Sequence, residues 1–208
     1  MNSFETDMKR AICSVNFVIG LIVECIILWR AGWKSELFRI SVPVLASFPY
    51  STAWLSEYQS GFVKEYLPRC GRTSYILGKL LSCGISGGVL PVLAAALYLW
   101  AGVGEEPTGN LFLLFLSGMF WAIVAAMLAA AANSHCVAYG GAFVLCYVMV
   151  ILYERYFQTL YCLYPVEWYA PEHTWILGDT GIVLMLSGLI LLVSVFYYEI
   201  VRRCMEGV

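Results

Sequence analysis

The sequence predicts an all-α, polytopic membrane protein, and three observations carry that expectation. Of the 208 residues, 61% are hydrophobic and only 12% are charged, about half the roughly 25% charged share of soluble chains. The apolar residues gather in runs of the ~20 residues that a helix needs to cross about 30 Å of hydrocarbon. The Lys, Arg and Trp residues sort toward the ends of those runs, where a bilayer places them. A core built from a chain this short cannot hold so many apolar side chains away from water, so lipid serves as their solvent. The net charge of −2 gives no signal for a nucleic-acid partner, and the two widely separated His residues leave little for metal chemistry.

Six spans are expected, at about 11–29, 37–55, 75–100, 111–132, 137–153 and 175–198, forming one transmembrane domain over 1–208. The first carries Asn16, Gly20 and Glu24 at four-residue spacing, on one helical stripe. The second holds Pro43 and Pro49, which predict a kink, a polar patch of Ser47, Tyr50 and Ser51, and Arg39 near one end, able to snorkel. The third contains Pro91 and Gly84-Ile85-Ser86-Gly87-Gly88. The fourth has Ala122, Ala125, Ala126 and the run from Ala129 to Ala132. Such small residues are packing faces between membrane helices. The fifth run is barely long enough to cross. Between the fifth and sixth, residues 153–174 are rich in Tyr and Trp yet interrupted by charges, Pro165 and Pro171. This segment reads as an interfacial or re-entrant hairpin, or as an amphipathic loop covering helix ends.

Orientation follows from Lys and Arg. With the N-terminus in the cytoplasm, Lys9, Arg10, Lys64, Arg69, Arg72, Lys79, Arg202 and Arg203 are cytoplasmic, and Arg30, Lys34, Arg39 and Arg155 lie outside. Trp29, Trp33, Trp100, Trp168 and Trp175 then fall at the outer boundary and Trp54 at the inner one. The expected location is the cell membrane, multi-pass, with both termini cytoplasmic. The eight Cys residues lie mostly in the spans or on the cytoplasmic side, so they read as small apolar fillers rather than a disulfide set. No A-x-A site follows the first apolar run, so no cleaved leader is expected.

The polar stretch 57–72 interrupts this pattern. It is too polar to span and too amphipathic for a slack loop. Tyr58, Phe62 and Tyr66 recur every four residues and share a face, with Glu57, Lys64 and Glu65 toward the other side. Pro68 ends the run, and Arg69 and Arg72 follow at headgroup level. A helix over 57–68 either lies on lipid or docks a soluble partner.

Glu57-x-x-x-Gly61-Phe62-x-x-x-Tyr66-Leu67-x-Arg69-x-Gly71-Arg72-x-x-Tyr75-x-x-x-Lys79 resembles the loop between spans two and three of type-two ATP-binding-cassette (ABC) exporter permeases. The resemblance covers about 25 residues as a motif and most of the chain as topology. It implies a six-span permease subunit paired with a second, identical or different, permease. It also implies cytoplasmic ABC ATPase subunits as partners, and a coupling helix at 57–68 that fits a groove on the ATPase. Glu57, Phe62, Tyr66, Leu67, Arg69 and Arg72 would be the ATPase-coupling positions. Spans two and five line the central path in that family, so Ser47, Tyr50 and Ser51, with Asn16 and Glu24 of span one, are candidates for the translocation path. The chain has no G-x-x-x-x-G-K-[ST] loop. ATP and Mg would therefore sit on the partner ATPase, with no cofactor bound by this chain. The expected cargo is hydrophobic or amphipathic, such as a peptide, and the expected membrane is a bacterial plasma membrane. The large outer domain of some members is absent, and the first outer loop is basic.

Two other readings of the sequence stand beside this one. Gly84-Ile85-Ser86-Gly87 matches the G-x-S-G of rhomboid-type proteases, but a serine nucleophile needs a base within hydrogen-bond reach and no span contains a His. No enzyme is expected. A non-transporting accessory or immunity membrane protein that binds a partner is the alternative.

Overall fold

The computed structural model describes residues 3–33, 35–63, 71–102, 109–171, 173–175 and 177–206. The regular elements among them are all helical: α1 Ser3–Ile12, α2 Val15–Ala31, α3 Glu36–Leu45, α4 Ala53–Gln59, α5 Arg72–Trp100, α6 Leu111–Ala132, α7 His135–Arg155 and α8 Asp179–Glu206. Short 3-10 turns occupy Tyr161–Leu163 and Pro165–Trp168. Helices α5, α6, α7 and α8 are long and apolar enough to cross a membrane, and α1 with α2 makes a fifth span if that pair, bent by 47°, counts as one. Apolar helices of this number and length make the chain compatible with a multi-pass membrane protein. The expectations placed on Lys34, Lys64, Glu65, Tyr66, Leu67, Pro68 and Arg69 fall outside the described residues.

Helix α5 packs most extensively on α6, and α6 in turn on α8. The small residues singled out in the sequence are where the first pair closes. A Cβ on Gly87 would stand 2.3 Å from Ala122 Cβ and 2.7 Å from the Ala46 carbonyl, and one on Gly88 would stand 2.7 Å from the Phe115 carbonyl. Gly118 approaches the carbonyl of Gly87 from the other side, at 2.8 Å from its own would-be Cβ. That carbonyl is the one whose intrahelical donor Pro91 lacks. Backbones that come this close gain dispersion contacts along their length, the main driving force between helices in lipid.

Around this pair the remaining helices bury one stripe each. On α2 the buried stripe is Phe17, Gly20, Glu24 and Leu28, while Ile22, Ile26 and Trp29 face outward. Ser14 caps α2, accepting from the Phe17 N–H at 3.0 Å. Before that cap lies a helix the sequence did not announce, α1, which returns its Asp7 and Ala11 face to the bundle. Helix α7 is exposed along most of its surface, with Ala138, Ala142 and Cys146 buried.

The second expected span, 37–55, is not one helix. α3 ends at Leu45, turns occupy 46–52, and α4 begins at Ala53. Proline is the cause. Pro49 cannot donate, so the Leu45 carbonyl is taken instead by the Phe48 N–H at 3.1 Å, an i→i+3 bond. The Ser47 hydroxyl donates to the Val44 carbonyl at 2.6 Å and the Ser51 hydroxyl to the Ser47 carbonyl, repairing the ladder from the side. The broken segment still runs the length of α7. At one end Glu36 and Arg39 lie beside Glu154 and Tyr164. At the other, Thr52 meets Tyr139 at 3.2 Å and Gln59 meets His135 at 3.3 Å. A helix unbroken over 57–68 is likewise not found: α4 stops at Gln59, and Gly61 has φ +77°, a left-handed conformation that ends helices. Phe62 and Val63 resume helical geometry beyond it.

Of the segment expected at 153–174, residues 153–171 fold back onto the bundle. Trp168 is fully buried, stacked on Trp121 at 5.9 Å and edge-on to Phe120 at 5.3 Å, and its indole donates to the Cys162 carbonyl at 3.0 Å. Of the Trp residues expected at this boundary, Trp29 and Trp100 are exposed, whereas Trp33 and Trp168 are buried beneath the cap. The last helix starts at Asp179, after Gly178 at φ +57°, rather than at 175, and continues to Glu206 rather than 198. All seven Cys residues among the described residues are free.

The α5–α6 contact yields a direct test. Gly87→Ala should lower stability by about 1–3 kcal/mol, the range for overpacking a closed interface. Gly140→Ala, where an added Cβ meets nothing within 4 Å, should be neutral. Thermal unfolding of both variants in one detergent reads the difference.

Candidate functional site

A lone cation inside an apolar helix needs partners, and Lys79 on α5 has three. Its ammonium donates to Glu57 Oε1 at 2.6 Å, to Asp7 Oδ1 at 2.8 Å and to the Tyr50 hydroxyl at 2.8 Å. Three protons meet three oxygens, which is the full donor capacity of the group. The Tyr50 hydroxyl donates onward to Asp7 Oδ1 at 2.7 Å, and the Tyr75 hydroxyl donates to Glu57 Oε2 at 2.5 Å. Arg10 closes on Glu57 at 3.7 Å from the solvent side. The Tyr50 and Tyr75 rings flank the ammonium, with centroids 5.0 and 5.6 Å away, adding cation–π attraction. The side chains of Lys79 and Asp7 are 3% and 7% exposed and that of Glu57 17%, so the charges sit in a medium where they interact strongly. Two cations and two carboxylates leave the cluster neutral overall.

Local structure explains the convergence. Tyr75 and Lys79 are four apart on one face of α5, and Asp7 and Arg10 three apart on one face of α1. Gly78 lies where α1 crosses: a Cβ there would sit 3.8 Å from Asp7 Oδ2 and from the Phe4 amide nitrogen. Tyr50 comes from the break after α3, and Glu57 from α4. Four separate segments therefore meet on one ammonium. A cleft of about 180 Å³ beside the cluster is bordered by Thr6 of α1 and Phe62, next to the ion pairs.

The residues anticipated for coupling divide. Glu57 turns inward onto Lys79 rather than outward. Phe62 is 39% exposed at the cleft, and Arg72 is exposed at the start of α5. Tyr66, Leu67 and Arg69 lie outside the described residues. Those anticipated for a path divide too. Tyr50 belongs to the Lys79 cluster. Ser47 and Ser51 are buried, and their hydroxyls are spent on their own segment's carbonyls. Asn16 lies on the exposed side of α2, off the buried stripe of Gly20 and Glu24. Glu24 is fully buried and accepts from the Ser41 hydroxyl at 3.2 Å. Ser86 donates to the Cys83 carbonyl at 3.1 Å, within its own helix.

Asp7, Arg10 and the central role of Lys79 were missed from sequence. The available signal was Lys79 itself, a charge seven residues into a helix that is otherwise apolar to Trp100. Among the described residues no group of His, Cys, Asp and Glu is arranged to hold a metal ion. Comparison with protein-family models, with curated proteins and with solved structures returns no match.

Lys79→Met removes the cation and leaves two carboxylates facing one another. Breaking a buried pair this way costs about 3–5 kcal/mol, so a large fall in thermal midpoint is expected. A double-mutant cycle of Lys79→Met with Asp7→Asn should show a coupling energy of at least about 1 kcal/mol, as residues in one network do. Strict additivity would mean that the two side chains do not interact.

Proposed function

We infer that the chain is the membrane-spanning permease subunit of an ABC transporter, exporting a hydrophobic or amphipathic cargo such as a peptide and driven by a separate ATPase. The observation that carries this reading is the Lys79 cluster. It joins the segment beginning at Glu57, which resembles the family's coupling loop, to the long helix α5, to the break at Tyr50 and to α1 through ion pairs at 2.6–2.8 Å. A push on the surface segment passes into several helices at once. In this reading Glu57 relays force inside the permease. Phe62 and Arg72, with Tyr66, Leu67 and Arg69, face the ATPase.

The remaining parts follow the same scheme. The broken segment 36–59 is the sixth crossing, its irregular backbone shielded by protein as a membrane interior requires. The basic residues of α1, of the start of α5 and of the end of α8 mark the cytoplasmic side. ATP and Mg belong to the partner. A second permease, identical or different, completes the path, toward which Glu24 contributes its buried carboxylate. Transport acquires direction because cargo binds the inward and outward states with different affinity.

The inward turn of Glu57 favours one alternative. A neutral, closed cluster also suits an accessory or immunity protein that binds a partner without moving anything. Purification of the tagged chain from native membranes separates the two. The transport reading expects an ATPase to be retained, with nucleotide hydrolysis that responds to cargo. Phe62→Ala combined with Tyr66→Ala should reduce retention about tenfold or more, the loss that aromatic hot-spot residues bring. Absence of any ATPase contradicts the transport reading.

A further inference from the structure

Glu24 is a carboxyl group inside an apolar helix, and its surroundings decide where its proton sits. It lies on the buried stripe of α2 with no exposed surface. One turn before it, Gly20 packs so closely that a Cβ there would stand 2.9 Å from Leu90 Cδ1. One turn after it, Leu28 is fully buried. The Ser41 hydroxyl of α3 stands 3.2 Å from Glu24 Oε1, and Oε2 is buried without a partner. Among the described residues no Lys, Arg or His forms an ion pair with Glu24. The titratable groups around it are few. Cys25 follows on α2 itself. Arg39 of α3 is engaged with Glu36 at 3.6 Å and with Tyr164. Tyr169 of the cap, its hydroxyl also buried without a partner, lies within electrostatic reach of Glu24, Arg39, Tyr164 and Cys146 of α7. Beyond Leu90, α5 has Tyr98 as its one titratable side chain. The charged residues of α1 lie before the start of α2, at the Lys79 end.

A hydroxyl has one proton to give, and two oxygens lie in reach of Ser41. The Phe38 carbonyl is at 2.8 Å and Glu24 Oε1 at 3.2 Å. The first is an ordinary O–H···O length. A hydroxyl that donates to an ionised carboxylate closes to about 2.5–2.7 Å, well short of the second. With the serine proton on the Phe38 carbonyl, the Glu24 contact becomes a hydrogen bond only when the carboxyl donates. An ionised Glu24 would instead accept from Ser41 by drawing that proton off Phe38, and would still leave Oε2 charged, buried and bare. A buried charge in that position takes up a proton. We propose that Glu24 and Ser41 form a proton-binding site, in which the Glu24 carboxyl holds one proton at neutral pH and donates it to the Ser41 oxygen across the α2–α3 seam. A proton needs no space in so closed a site, whereas a metal ion needs several further oxygens. The closed seam binds the proton and a hydrated, open one releases it, so rising pH favours opening. The site itself is independent of the transport reading. In that reading the proton leaves when water reaches the seam, and Glu24 then stands in the path as a carboxylate.

Infrared spectroscopy of the intact, detergent-purified chain and of Glu24→Gln reads the proton directly at about pH 7, where an ordinary Glu, at about 4.3, is ionised. Glutamine keeps the volume, and its amide can donate to Ser41 as the acid does. The wild-type-minus-variant spectrum should contain a carboxylic-acid C=O band and no carboxylate band. Raising the pH should lower the thermal midpoint of the wild type more than that of the variant, because the folded wild type holds a proton that its unfolded chain has lost. Ser41→Ala removes the acceptor and should move the acid band to higher frequency. Should Glu24→Gln fail to fold, the acid band of the wild type and its movement in Ser41→Ala carry the test. A carboxylate band in place of the acid band, equal pH dependence of the two midpoints, or an acid band indifferent to Ser41→Ala would each overturn the proposal.

Discussion

One buried ammonium organises one whole end of this molecule. Lys79 sits on α5 where the helix is otherwise apolar, and a charge there is tolerable only when its partners are close and complete. Asp7, Glu57 and Tyr50 provide them at 2.6–2.8 Å. Because those partners come from α1, from α4 and from the break after α3, satisfying Lys79 fixes where each of the three lies. The short α4 buries Trp54 and Leu55 in the core, and α1 rests chiefly on α5 with Ala11 buried. The electrostatic requirement of one side chain thus adds to the limited packing of these small elements.

The other half of the architecture is steric. Gly87, Gly88 and Gly118 allow α5 and α6 to meet backbone to backbone, so the long helix bearing Lys79 is seated on a rigid neighbour. On the transport reading, a displacement of the surface segment would be shared among α5, α1 and the Pro49 break, which the Lys79 cluster joins. A strong joint coupled to a stiff helix and a weak break is a mechanical arrangement, and this is what makes the transport reading physically coherent.

Much of the fold was legible in the sequence, and the exceptions have causes. The runs 75–100 and 111–132 agree with α5 and α6 because unbroken apolar stretches leave helix as the one way to satisfy the backbone in lipid. Pro43 and Pro49 announced trouble in 37–55, although a kink was expected where a turn separates two helices. Gly61 is a weak helix former, yet its left-handed backbone, which divides 57–68, depends on tertiary context. The helix α1 escaped notice because its apolar face is short and its charges alternate. Its stability comes from Asp7 docking on a residue 72 positions away, which no local pattern reveals. Lys79 reads as one of the cytoplasmic cations because sequence gives a charge its sign but not its partners. For the same reason Glu57 was placed on the surface and Tyr50 on a path, when the two share a single ammonium.

The central claim is that the Lys79 charge holds α1 and α4 against α5. Backbone hydrogen exchange of the wild-type chain and of Lys79→Met, followed segment by segment in the same detergent, tests it most directly. Protection should be lost in 3–12 and 53–59 while α6 and the middle of α5 stay protected. Unchanged protection of 3–12 in the variant would contradict the account.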